Sequence, residues 1–303
     1  SAASDVYKRQ SLPACWENPC RRRCEVRKMQ LTQKKSRRGD LLTAAAVAML
    51  LAVMAALLYT GSLTRQVTNM LIPTAVYIVM AVSLNLVVGL LGELSLGHAG
   101  FMSVGLFSGC LVAIALANTA LPLMVRLPVS MLAGGLTAAV FGLLVGLPTL
   151  RLRGDYLAIV TLACGEIIKN IITNLRVTGG ALGLNTSAIY AGAKELLPYG
   201  AALVLLTVAV MLNLKRSKYG RAIMAIRDNR IAAESVGLSV TRYKLAVFVI
   251  AAFFAGCAGV LYGHSLANIK AAAFDYNMSI EILVIVVCLL YTSDAADDMQ
   301  CVD

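Results

Sequence analysis

The chain has 303 residues, of which 59% are hydrophobic and only 14% charged, with a mean hydropathy of +0.77. Soluble domains average about 45–50% apolar and about 25% charged, so the composition excludes an ordinary cytosolic enzyme and places the chain in a bilayer. The net charge of +11 does not signal nucleic acid, because the basic residues are dispersed between apolar blocks instead of forming one patch.

Residues 1–28 hold the only Trp, three cysteines and a basic cluster, with no apolar periodicity. They resemble translated adapter read-through, and the expectation is a non-native head with Met29 as the natural start. Residues 29–40 form a basic arm. The apolar run Leu41 to Tyr59 then has about the 20 residues of a spanning helix, longer than the 7–15 typical of a signal peptide. Further spans are expected at Asn69 to Leu91, Phe101 to Ala117, Val129 to Leu150, Tyr156 to Asn174, Leu196 to Leu214, Leu245 to His264 and from Met278 onward. The last is expected to be cut short near Val287, with residues 288–303 a second non-native stretch. The fold class is therefore an all-α, polytopic integral membrane protein of about eight transmembrane helices, with residues 41–287 as the membrane domain.

An inward N-terminus puts fourteen basic residues in inner connections: Lys34, Lys35, Arg37 and Arg38, then Arg151 and Arg153, then eight between Lys215 and Lys244. The outer set has five: Arg65, Arg126, Arg176, Lys194 and Lys270. The asymmetry is that of positive-inside topology.

Catalytic signatures are absent. The sequence contains no GxxxxGK[ST] phosphate loop, no HExxH, and two well-separated histidines, His98 and His264. A process driven by ATP therefore needs its ATP and magnesium on another chain, and no cofactor is expected on this one. None of the eight cysteines forms a CxxC pair, and Cys110, Cys164 and Cys257 read as packing residues.

Three segments carry the functional signal. In NLVVGLLGELSLGHAGFMSVG, residues 85–105, five glycines interrupt an apolar stretch that contains Glu93 and His98. Two readings stand side by side: a broken element beside a translocation path, or a plain inner connection with glycines serving helix packing. In LRLRGDYLAIVTLACGEIIKNIITN, residues 150–174, Glu166 and Lys169 lie on one helix face, as an ion pair or as path-lining groups. A charge at the bilayer centre costs about 2.5–3.5 kcal/mol on insertion scales, so such groups turn toward the bundle or each other. The candidate path residues are Glu93, Gly97, His98, Glu166 and Lys169. The third segment, Lys215 to Lys244, contains Ile223, Ile226 and the Ile231, Ala232, Ala233 group at helical spacing, with Gly237 placed to end the second of two short amphipathic helices. An amphipathic helix on the inner face suits docking of a soluble partner.

These stretches, together with GRAIMAIRDNRIAAESVGLSVTRYKLAVFVIAAFFAGCAGVLY, resemble the LivM-type permease subunits of bacterial ABC importers for branched-chain amino acids, over most of residues 80–265. The resemblance implies ABC importer permease architecture in the bacterial cytoplasmic membrane. It implies a LivH-type second permease, two ABC ATPase subunits and a periplasmic amino-acid-binding protein as partners, besides membrane lipid. It places a relaxed EAA motif on Ala232, Ala233, Glu234 and Gly237, flanked by Arg221 and Arg227, as the ATPase-docking loop within residues 215–244. Two other readings remain: a related ABC permease for urea or short amides, which shares these stretches, and an ion-coupled secondary transporter using Glu93 or Glu166 as its coupling acid.

Overall fold

The computed structural model describes residues 45–56, 64–117, 122–150, 152 and 155–300. The head, the basic arm, both ends of the first expected span, and Arg151 and Arg153 lie outside the described residues. Helix α1, Ala45–Ala56, is the described part of that first span. Seven other helical segments among the described residues are long and apolar enough to cross a bilayer, one for each later run of the sequence.

Helix α2, Arg65–Asn85, continues as a π-helical segment, Leu86–Leu91. It is followed by α3, His98–Ala117, α4, Leu123–Thr149, α5, Asp155–Asn174, and α6, Ala193–Arg216. Two short helices come next, α7, Lys218–Asp228, and α8, Arg230–Ser235. The long α9, Val240–Ser265, and α10, Tyr276–Gln300, complete the order. The expected spans are shorter than the helices because polar residues beyond the apolar run still complete helical turns, as at Arg65–Thr68 and Val240–Lys244.

The centre of the bundle is α9, packed between α3 and α4. Phe101 of α3 meets Phe248 of α9 edge-on, with ring centroids 5.4 Å apart, and Gly105 and Gly109 lie against Gly256 and Val260. Rising numbers meet rising numbers, so α3 and α9 are parallel. Along α4 the order reverses, Gly134 facing Val260, Gly142 facing Ala252 and Gly146 facing Phe248. A methyl group on Gly105 would overlap the Gly256 backbone, which is why small residues sit where the helices cross.

Two connections fold into the bundle. After the π-helical segment, Gly92 turns the chain with φ +69°, a left-handed conformation that suits glycine, and residues 93–97 have no regular structure. His98, the first residue of α3, is buried with its Nε2 2.7 Å from Ser83 Oγ of α2. Ser83 precedes Leu91 by about two helical turns, so α3 begins roughly 12 Å inside the end of the π-helical segment that continues α2. The connection after α9 also turns inward. Asn268–Ile269 pairs antiparallel with Leu184–Asn185, Ile269 is buried, and a 3-10 turn over Ala271–Ala273 leads to α10.

The two inward turns meet. The Ala99 N–H donates to Ser279 Oγ at 3.2 Å, while Phe107 lies against Phe274 with centroids 6.4 Å apart. Rising numbers on α3 meet falling numbers from Ser279 of α10 back to Phe274 just before it, so the two helices start beside one another within the bundle and run in opposite directions.

Candidate functional site

The amphipathic module at residues 215–244 is built from local capping signals. Ser217 Oγ accepts the Gly220 N–H at 3.1 Å and starts α7. Asn229 Oδ1 accepts the Ala232 N–H at 3.1 Å and starts α8; short polar side chains at these positions satisfy amides that have no helical partner. Gly237, at φ +87°, ends α8, with its N–H donating to Glu234 O and the Leu238 N–H to Ala233 O, the left-handed glycine stop of many helices.

The apolar residues divide between two directions. Ile223 is buried, as are Ile226, Ala233 and Val240; the last three form a cluster against which Leu238 and Tyr243 pack. Ile231 and Val236 are each 81% exposed, with Ala232, Glu234 and Gly237 exposed beside them. Arg230 Nε donates to Glu234 Oε1 at 2.9 Å. Arg221 is also exposed. Of the EAA-like residues, Ala232, Glu234 and Gly237 therefore form an outward surface, whereas Ala233, expected in the docking loop, is buried against Ile226 and Val240 and anchors that surface on the chain.

That anchor reaches the broken segment. Arg227 Nη1 donates to Gly89 O in the π-helical segment at 2.6 Å. Lys244 Nζ, in the second turn of α9, pairs with Glu93 Oε1; both side chains are nearly buried, and Glu93 Oε2 has no hydrogen-bond partner among the described residues. Leu91, Gly92, Glu93, Leu94, Ile226, Arg227 and Lys244 enclose a concavity of about 290 Å³. The glycine-rich segment and the amphipathic module are thus one structural unit.

The five candidate path residues do not come together. Glu93 belongs to the ion pair with Lys244. Gly97 lies against the Thr161 backbone of α5, with a methyl at that position 2.5 Å from Thr161 O, and the Leu96 N–H donates to Thr161 Oγ1 at 3.1 Å. His98 is buried; the Ser83 hydroxyl donates to Met80 O, leaving its oxygen to accept from His98 Nε2–H. Lys169 Nζ lies 2.5 Å from Glu166 Oε2 and 2.7 Å from Asp275 Oδ1, and the Tyr276 N–H donates to Glu166 Oε1 at 3.1 Å. This cluster fastens the start of α10 to α5, two carboxylates sitting at a helix N-terminus where the helix dipole favours them.

The partners missed from sequence are Lys244, Ser83, Thr161, Asp275 and Ser279. Each stands apart in sequence from the group it meets, and only Lys244 left a signal: it closes the inner loop that positive-inside counting puts on the same side as Glu93.

An all-helical bundle with inward-turned connections and an anchored amphipathic module on one end defines a multi-pass membrane permease. The family described as "Branched-chain amino acid transport system / permease component" matches residues 66–290, and the chain belongs to that family. It is 36% identical over 253 residues to the high-affinity branched-chain amino acid transport system permease protein LivM of Salmonella typhimurium, covering 71% of this chain and 56% of that one. The protein of the same name in Escherichia coli is 36% identical over 247 residues, with the same coverage. A probable branched-chain amino acid transport permease protein LivM of Methanocaldococcus jannaschii is 31% identical over 148 residues, 45% of this chain and 43% of that one. The chain thus spans about half the length of the curated relatives it matches. No solved structure shows a significant match.

Proposed function

We propose that the chain is the permease subunit of an ATP-driven importer for branched-chain amino acids, in the bacterial inner membrane with its N-terminus in the cytoplasm. The identity to LivM proteins supports the substrate class. The observation that supports coupling is the double anchorage of residues 215–244 on the broken segment, through Arg227 to Gly89 and Lys244 to Glu93. The chain performs no bond chemistry of its own. Partner ATPases bind ATP and magnesium, the surface around Ala232, Glu234 and Gly237 docks on them, and α7 and α8 carry their movement to the segment at residues 89–94. A LivH-type permease completes the passage, and a periplasmic binding protein delivers leucine, isoleucine or valine. Exposed apolar residues such as Leu132, Leu136, Val140 and Leu144 of α4 suit lipid or the second permease.

An ion-coupled transporter requires Glu93 or Glu166 as its coupling acid; the lysine partners of both favour the ABC reading. The test is leucine uptake by membrane vesicles carrying the chain with its co-encoded subunits. Glu234→Lys reverses the charge of the docking surface, and the expected result is loss of uptake with normal membrane insertion. Normal uptake with normal ATPase co-purification in that variant would falsify docking through this surface.

A further inference from the structure

Helix α10 presents two different faces. Ser279, Ile282 and Val286 are buried in the bundle, while Ile280, Glu281, Val284 and Ile285 face outward. With the half-buried Tyr77 of α2, these outward residues line a groove of about 500 Å³. Glu281 lies well inside the span Ala271–Cys288, as Tyr77 lies near the middle of Arg65–Leu91. Glu281 forms no hydrogen bond or ion pair with any described residue, whereas Glu166 and Glu93 each have a lysine.

An unpaired carboxylate at this depth is strongly disfavoured against hydrocarbon, and acids inside membrane spans face a bundle interior or a watery cavity. Lipid is therefore a poor cover for this face despite its isoleucines and valine. The groove flanks a helix that starts within the bundle, and discontinuous helices are where transporters place substrate sites. It also has the make-up of a small-molecule site, an apolar wall with few polar groups. Its acceptor calls for a cation, and its wall for an aliphatic group on the same ligand.

We propose that Glu281 and Tyr77 line the substrate passage, the Glu281 carboxylate receiving the ammonium of a zwitterionic amino acid while Ile280, Val284 and Ile285 receive its aliphatic side chain. The assignment rests on the amino-acid importer reading and adds the site at which this chain touches its cargo.

The test uses the full chain in membranes with its co-encoded subunits. In Tyr77→Cys, which keeps the carboxylate, the water-soluble thiol reagent MTSET labels position 77 beyond the background of the parent chain. Leucine slows that labelling, and 4-methylpentanoate, which has the same branched end but no ammonium, does not. Adding Glu281→Gln removes the protection. Glu281→Gln alone lowers leucine uptake about tenfold or more, as expected for loss of one charge-assisted contact, with unchanged membrane level and partner co-purification. No labelling, equal protection by the two compounds, or parental uptake in Glu281→Gln overturns the assignment. An unaltered complex that takes up no leucine instead overturns the importer reading, so the two failures are distinct.

Discussion

The pair Glu93 and Lys244 shows how a charge is kept in an apolar bundle. Their side chains are 13% and 11% exposed, so each has left water and depends on the other. Removing one partner of a buried pair costs about 3–5 kcal/mol, whereas replacing both with apolar residues of similar size is often neutral or stabilising. Lys244→Met is therefore expected to lower the melting temperature of the purified chain strongly, and the double variant Glu93→Leu/Lys244→Met to recover most of the loss. Thermal unfolding in detergent followed by size-exclusion chromatography reads both; equal melting of the single variant and the parent would deny the pair a stabilising role. Glu93 was visible in the sequence as an acid among leucines and glycines, but its partner lies 151 residues away. The same holds for Glu166 and Lys169, whose three-residue spacing was legible while Asp275, 106 residues from Lys169, was not. Local spacing reveals helical neighbours; it says nothing about pairs made by packing.

At the scale of elements, apolar runs identified every span from α2 to α10, and the apolar spacing with Gly237 indicated the two short helices, whose N-terminal caps Ser217 and Asn229 emerge from the structure. The glycine-rich stretch was less legible because one residue type serves both to break a helix and to pack helices closely, and here it does each at a different position. Gly92 breaks the chain with a positive φ, while Gly100 and Gly105 admit the backbones of α5 and α9. The link from this break to α7 is the Arg227 contact with Gly89 O. A hydrogen bond to a charged group contributes about 1.5–3 kcal/mol, so Arg227→Gln is expected to weaken the mechanical connection without altering the surface at Glu234. ATPase co-purification then stays at the parental level while leucine uptake per ATP hydrolysed falls. Measuring both rates in one proteoliposome preparation separates this outcome from loss of docking, in which the ATPase is no longer retained; an unchanged transport-to-hydrolysis ratio would exclude Arg227 from the link.

For the whole molecule, the packing ties three connections to one face. The end of α2 reaches the start of α9 through Glu93 and Lys244, and the end of α4 reaches it through Gly146 beside Leu245 and Phe248. The chain leaving α6 enters α7 on the same side, because α7 packs its Ile226 against Val240 at the start of α9. These ends adjoin the connections to which the sequence assigns its Lys and Arg excess, so charge counting and packing agree on which ends belong together. Helix α9 has 26 residues, about 39 Å at the helical rise, which exceeds the roughly 30 Å of hydrocarbon. Lys218 before it and Lys270 after it then lie on opposite faces of the membrane, and the proposed orientation, argued from the positive-inside rule, has Lys218 on the cytoplasmic side. Single cysteines at Lys218→Cys and Lys270→Cys, treated with an impermeant maleimide, are expected to react from opposite sides: position 270 in intact spheroplasts, position 218 only in inverted vesicles. Reaction of both from one side breaks the alternation, and reaction with the sides exchanged keeps the bundle but turns it over, moving the Glu234 surface away from any cytoplasmic ATPase.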